Sequence, residues 1–217
     1  MRENTIQKVL EKKLIAIVRG VYGGDALRLA EALYAGGISL IEFTFDQKNP
    51  ETAADTQQAI RGVNERFAGA VLAGAGTVTT CRQVELAQEA GARYIISPNV
   101  NAQVIARTRA LGMVSMPGAF TASEVLTAHE SGADFVKLFP AGSMGVDYFK
   151  ALRGPINHVR MLAVGGVNLE NIGAYLKAGA VGAGLGGNLV NKQWIEQGKF
   201  GDITALAQQL AEIVEGK

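Results

Sequence analysis

The segment TASEVLTAHESGADFVKLFP, residues 121–140, shows in one unit how the chain is organised. Residues 122–130 carry a helical pattern, Ser131-Gly132 is a natural helix stop, and 135–139 is a short apolar strand. Alternation along that strand puts Phe135, Lys137 and Phe139 on one face and Val136 and Leu138 on the other. A lysine between two phenyl rings inside an apolar strand is costly to build. Desolvation disfavours its charged form, lowers its pKa and frees an amine lone pair near neutral pH. An amine in that state can attack a carbonyl and form a Schiff base. The plainer reading lays the stem on apolar surface and lets the ammonium snorkel to water. Lysine is seldom fully buried without a partner, which favours the functional reading.

The same unit recurs outward in both directions, about eight times at a spacing of roughly 20–30 residues. Strand candidates are 14–19, 40–45, 71–78, 94–98, 113–117, 135–139, 161–165 and 181–186. Most are continuous apolar runs, as parallel strands covered on both faces require. Helical patterns lie between them at 25–34, 50–67, 82–90, 103–110, 122–130 and 170–177, and glycine follows several. No Pro/Ser-rich or charge-dense stretch interrupts the rhythm, so the reading is a single domain over residues 1–217. Eight alternating units predict an α/β fold, a closed (β/α)8 TIM barrel. Residues 6–12 form an extra N-terminal helix across one end, and 203–214 form the last outer helix. An open doubly wound sheet would place Gly-x-Gly-x-x-Gly after its first strand; Arg19-Gly20-Val21-Tyr22 stands there instead.

Composition narrows the function classes. The 217 residues are 48% hydrophobic and 19% charged, with a net charge of +1, and contain no long basic run. Neither a nucleic-acid nor a membrane partner is indicated. No apolar segment reaches membrane-span length, and Met1-Arg2-Glu3-Asn4 lacks a signal-peptide pattern. One cysteine excludes an internal disulfide framework and suits a reducing cytoplasm. With two histidines well separated in sequence, a Cys/His metal site is not expected.

In such a barrel, chemistry gathers at the C-terminal ends of the strands. The polar residues there are Arg19, Glu42 with Thr44, Thr77, Ser97, Lys137, and the glycine pairs Gly165-Gly166 and Gly186-Gly187. Leu40, Glu42 and Thr44 share a face, which is the lumen if Ile41 and Phe43 meet the helices. A carboxylate sharing that lumen with Lys137 would shuttle protons through water; a structural ion pair with Lys137 or Arg19 is the alternative. The glycines of 74–76 mark a close approach, and Thr77 then offers a hydroxyl. Gly165-Gly166, with Asn168 as an N-cap, resembles half of a phosphate grip, and Gly187-Asn188 ends the next strand where the other half belongs. Two tight turns with nothing bound would read the same way. Arg19 is either a clamp for a ligand carboxylate or an ordinary loop arginine. Cys81 reads as structural, and Trp194, Tyr34 and Phe149 as packing.

These residues together resemble a known family. Ile-Glu-Phe-Thr at 41–44, Gly-Ala-Gly-Thr-Val at 74–78, Ile-Ser-Pro-Asn at 96–99, Pro-Gly-Ala at 117–119, Val-Lys-Leu-Phe-Pro-Ala at 136–141 and Val-Gly-Gly-Val at 164–167 look like the KDPG/KHG aldolases. These are class I pyruvate aldolases acting on 2-keto-3-deoxy-6-phosphogluconate and 4-hydroxy-2-oxoglutarate. The resemblance implies Lys137 as the Schiff-base lysine and Glu42 as the general acid/base. It also implies a pyruvate pocket shaped by Thr77, Pro98 and Phe139, and a distal anion held by Gly165, Gly166, Gly187 and Asn188. A homotrimer with no metal or organic cofactor follows from the same likeness. Gluconate-specific members carry an arginine for the pyruvate carboxylate at the position of Asp46, so Arg19 is the candidate replacement. Val164 and Asn188 stand where those members often have threonine and serine, and Ala-Val-Gly-Gly-Val and Gly-Ala-Gly-Leu-Gly resemble the 6-phosphogalactonate branch. The expected activity is carbon–carbon lysis of a small 2-keto acid. A phosphate-binding barrel isomerase or synthase and a non-catalytic sugar-acid-binding barrel are the rivals.

Overall fold

Strand and helix alternate throughout residues 2–216, the part that this computed structural model describes; Met1 and Lys217 lie outside the described residues. In chain order the elements are α1 (Arg2–Lys12), β1 (Leu14–Val18), α2 (Gly23–Ala35), β2 (Leu40–Thr44), α3 (Ala53–Phe67), β3 (Leu72–Gly76), α4 (Cys81–Glu89), β4 (Tyr94–Ile96) and α5 (Ala102–Ala110). There follow β5 (Val114–Met116), β6 (Gly118–Ala119), α6 (Ala122–Glu130), β7 (Val136–Leu138), α7 (Ala141–Arg153), β8 (Met161–Val164), α8 (Ile172–Lys177), β9 (Gly182–Leu185), α9 (Lys192–Glu196) and α10 (Phe200–Glu215). Local chemistry sets several boundaries. Thr80 with Gln83 and Thr121 with Glu124 form reciprocal capping boxes at the starts of α4 and α6. Gly132 ends α6 at φ 95°, a conformation that a side chain would strain.

All strand pairs are parallel, in the order β5-β4-β3-β2-β1-β9-β8-β7-β6. β5 and β6 are one extended run divided at Pro117, which has no N–H to give a ladder. Ser115 pairs with Ile95 on one side while its carbonyl accepts from Phe135 N at 3.3 Å on the other, and Pro117 O accepts from Lys137 N at 2.9 Å. The two sheet ends therefore meet through the chain itself. The nine strands are the eight expected staves with the fifth split, and the barrel with its extra N-terminal helix is as anticipated.

The pleat sorts side chains into two layers. Ala16, Ile41, Phe43, Ala75, Ile95, Val136, Leu138 and Ala163 pack outward against the helices. Ile15, Leu40, Tyr94, Ile96, Val114, Met116, Phe135 and Leu162 fill the lumen, closed from below by Ile6 and Val9 of α1. Asp134, with its side chain 4% exposed, pins that helix: it pairs with the Arg2 guanidinium and accepts from Ser115 N at 2.9 Å.

Four points of the sequence reading need correction. α7 is absent from the helical patterns read from the sequence; Gly145 sits at φ 77°, ψ −179°, and the helix is kinked around it. α9, five residues started by Asn191 accepting from Trp194 N at 3.3 Å, was also missing. Asn168 does not cap a helix: its Oδ1 accepts from Glu170 and Asn171 N in a turn, and α8 begins only at Ile172, with Asn171 as N-cap. Phe149 is core, edge-on to Tyr175, but Tyr34 remains 46% exposed beside Phe67. Among the described residues, no helix is long and apolar enough to cross a membrane.

Candidate active site

The C-terminal ends of the strands surround a cavity of about 750 Å³. Arg19, Glu42, Thr77, Pro98, Lys137, Phe139, Gly165, Gly166, Gly187 and Asn188 all line it. Residues spread over most of the sequence thus share one wall. Thr44 and Ser97 do not line it; both are buried.

Lys137 enters from β7, held between Gly118 on β6 and Leu162 on β8. Only 7% of the residue is exposed, so its head does not snorkel into bulk water. Its Nζ lies 4.6 Å from the centre of the Phe139 ring, which forms the rim. Phe135 lies deeper, in the floor of the lumen. Burial pushes the Lys137 pKa down; Glu42 pulls it back up, and Arg19 adds to the lowering.

Glu42 comes from β2, opposite Ile17 of β1 and Gly74 of β3. It is 1% exposed, and its Oε2 has no hydrogen-bond partner among the described residues. The space that it occupies exists because two residues of β3 lack side chains. A Cβ at Gly76 would fall on the Glu42 carboxyl, and one at Gly74 would fall on the Tyr94 ring. Tyr94 reaches down to Leu72 O at 3.4 Å, keeping its ring in the lumen. Burial raises the Glu42 pKa to about 6, against the opposing attractions of Lys137 and Arg19. Among the described residues no ion pair joins Glu42 to Lys137 or Arg19, so the structural-pair alternative finds no support.

Arg19 reaches across the mouth and donates from Nη2 to Thr77 Oγ1 at 3.2 Å. Thr77 adopts φ 55°, a disfavoured conformation for a β-branched residue. Gln47 Nε2 holds its carbonyl at 2.7 Å. Asp46 turns into its own loop: Oδ1 accepts from Lys48 N at 2.8 Å and Asn49 N at 3.3 Å, and Oδ2 from Asn49 Nδ2 at 2.8 Å. Those bonds, the Asn49 side chain first, hold its carboxyl below the usual range.

Gly165 and Gly166 both have positive φ, 85° and 79°, and the corner is tight: Gly165 O accepts from Gly142 N at 2.7 Å. Asn188 commits one amide N–H to the fold: Nδ2 donates to Val167 O at 2.9 Å and ties the β8 and β9 corners together. Lys192 was missed by sequence reasoning. It follows the β9 corner and lines the same cavity. Its signal was weak, a single cation beyond the last glycine turn. Of the charged side chains lining the cavity, Arg19, Lys137 and Lys192 are basic and only Glu42 is acidic. Such a concavity favours anionic ligands. Cys81 lies outside this cavity. The two histidines, distant in sequence, meet edge-on with centroids 5.2 Å apart, away from it.

Comparison with known proteins gives the family. The family model for KDPG and KHG aldolase matches residues 5–206. A 2-dehydro-3-deoxy-phosphogluconate aldolase of Treponema pallidum is 38% identical over 212 residues, covering 97% of this chain and 98% of that one. A 2-dehydro-3-deoxy-6-phosphogalactonate aldolase of Escherichia coli K12 is 36% identical over 177 residues, covering 81% and 83%. The crystal structure of KDPG aldolase from Legionella pneumophila, with pyruvate captured as a covalent carbinolamine, superposes with a TM-score of 0.83 at 29% identity over 94% of this chain and 96% of that one. The chain belongs to the KDPG and KHG aldolase family and is a class I aldolase, a carbon–carbon lyase.

Proposed function

We propose that Lys137 is the Schiff-base lysine and Glu42 the general acid/base of this aldolase. The observation that carries the reading is the pairing of a buried amine of lowered pKa with a buried carboxyl of pKa about 6 in one lumen. Lys137 Nζ attacks the 2-keto carbon of a 2-keto acid, and the carbinolamine loses water to an iminium. The C3–C4 pair of electrons flows into that iminium as the bond breaks, the C4 hydroxyl gives its proton through water to the Glu42 carboxylate, and the C4 fragment leaves as an aldehyde. Glu42 then delivers a proton through water to C3 of the enamine, and hydrolysis frees pyruvate and the amine. The iminium is the electron sink, so the scheme calls for neither metal nor organic cofactor; full activity in EDTA is the expected outcome, and loss of activity there would contradict it.

Arg19, with Thr77, binds the pyruvate carboxylate in place of the arginine that Asp46 displaces. Pro98 and Phe139 wall the pyruvate end, and the Gly165-Gly166 and Gly187-Asn188 corners receive the distal anion. The substrate is 2-keto-3-deoxy-6-phosphogluconate, 4-hydroxy-2-oxoglutarate, or both, giving glyceraldehyde 3-phosphate or glyoxylate. Val164 in the cavity wall and the Escherichia coli relative support a second reading, the 6-phosphogalactonate epimer. Family membership further suggests one barrel domain, a homotrimer and a cytoplasmic setting. Sedimentation velocity tests the assembly.

Borohydride reduction in the presence of pyruvate, followed by peptide mass analysis, tests the core of this reading. A reduced pyruvyl adduct on Lys137 is expected; no adduct, or one on another lysine, overturns it. Cleavage rates on the gluconate, galactonate and oxoglutarate substrates assign specificity. An Arg19→Ala enzyme with unchanged pyruvate affinity removes Arg19 from the scheme.

A further inference from the structure

The corners after β8 and β9 offer backbone but little side-chain chemistry. A Cβ at Gly186 or Gly187 would meet nothing within 4 Å, so that corner is open. Val164 brings methyl groups to the wall, and the Asn188 amide, which carries no charge, already gives one N–H to Val167 O. Backbone N–H groups alone would leave a distal phosphate, charged about −1.5 to −2, with no countercharge nearby. Arg19 is engaged with Thr77, and Lys137 is the buried amine.

Lys192 is the remaining cation in the cavity wall. Its ammonium lies over the neighbouring β1 corner, 3.3 Å from where a Cβ at Gly20 would stand; Gly20, at φ 64°, has no side chain to block it. Among the described residues no ion pair holds Lys192. It is an exposed cation, without an ion pair among the described residues, in the wall of an anion-seeking cavity.

We infer that Lys192 determines specificity by recognising the distal phosphate, so that this chain prefers a phosphorylated 2-keto-3-deoxy acid to one ending in a carboxylate. The inference rests on the aldolase reading of the same cavity. A point charge acts about twice as strongly on a dianion as on a monoanion, and Lys192 has no geometry for the bidentate grip that would favour a carboxylate. It touches the far end of the substrate, so its contact is made equally in the ground and transition states and registers in KM.

Lys192→Gln and Lys192→Arg enzymes test this by steady-state kinetics on 2-keto-3-deoxy-6-phosphogluconate, its galactonate epimer and 4-hydroxy-2-oxoglutarate. Lys192→Gln is expected to raise KM for the phosphorylated substrate that is turned over by about tenfold or more, with kcat within about twofold. On 4-hydroxy-2-oxoglutarate the change should stay under about threefold, and Lys192→Arg should restore most of the loss. Binding of inorganic phosphate, read by calorimetry without turnover, should weaken in the Gln enzyme. Unchanged KM for the phosphorylated substrate and unchanged phosphate binding overturn the inference, and so does an equal rise on both substrate types. Borohydride trapping with pyruvate separates this from the parent reading. Pyruvate has no distal group, so Lys192→Gln should form the adduct fully, whereas a wild type that forms none refutes the aldolase scheme and leaves phosphate calorimetry to decide Lys192.

Discussion

The two ends of the barrel lumen are built by the same strands and behave oppositely. At the lower end Ile15, Leu40, Phe135 and Leu162 meet Ile6 and Val9 of α1 in a closed apolar plug. One pleat higher, β2 passes from Leu40 to Glu42 and β7 from Phe135 to Lys137. The floor contributes stability, with each fully buried Leu, Ile or Phe worth about 1.5–3 kcal/mol. The upper end withdraws some of it. The Glu42 pKa is raised from 4.5 to about 6 in the fold, so the folded state binds its proton more tightly than the unfolded chain does. That contribution is fully present below pH 4.5 and is lost as pH rises through about 6, leaving the protein about 2 kcal/mol less stable there than with an unshifted carboxyl. A surplus at one end thus lets the other hold an amine and a carboxyl in solvation states that water would not allow.

The sharpest way to break this contrast is Lys137→Met. Cleavage should fall by about 10³-fold or more, while the unfolding free energy should drop by no more than about 1 kcal/mol. A large loss of stability would mean that the lysine belongs to the scaffold. Next comes Glu42→Gln, expected to lower kcat by about 10²–10⁴-fold and to abolish a pH–rate limb near 6. The same variant should be more stable than wild type by up to about 2 kcal/mol at neutral pH, a gain that vanishes below about pH 4.5. Denaturant titrations across pH check that sign; a pH-independent difference would contradict it.

Leu40→Ala probes the floor and should show the reverse pattern. A loss of about 2–5 kcal/mol is expected, with kcat at 25 °C within about twofold. Calorimetry and initial rates on one preparation read both. The smallest effect is expected from Arg2→Ala, which unpins α1 from Asp134. It should lower stability by about 1–2 kcal/mol and speed hydrogen exchange in α1, with KM unchanged. A changed KM would show that the two ends are coupled.

Much of this arrangement was legible in the chain. Apolar runs alternating with helical patterns are the direct consequence of parallel strands covered on both faces. The period of two also set Glu42 on the face opposite Ile41 and Phe43, and Lys137 on the face opposite Val136 and Leu138. What escaped had no periodic signature. α7 is broken by Gly145, α9 is only five residues long, and the split at Pro117 divides one stave into two strands. The two histidines are 29 positions apart, yet they touch, because sequence separation says little once a chain has closed on itself.

By itself the sequence determined which residues share a strand face and at which end polar groups collect, because both depend only on local alternation and strand direction. Tertiary structure decided which of those groups are dry, which are engaged and which are free. Glu42 is buried because Gly76 and Gly74, on a neighbouring strand, leave room for it and for Tyr94. Asn188 is spent as a brace, Asp46 serves its own loop, and Lys192 reaches the cavity from an element with no visible pattern. Burial and hydrogen-bond commitment come from neighbours distant along the chain, so no reading of local spacing contains them.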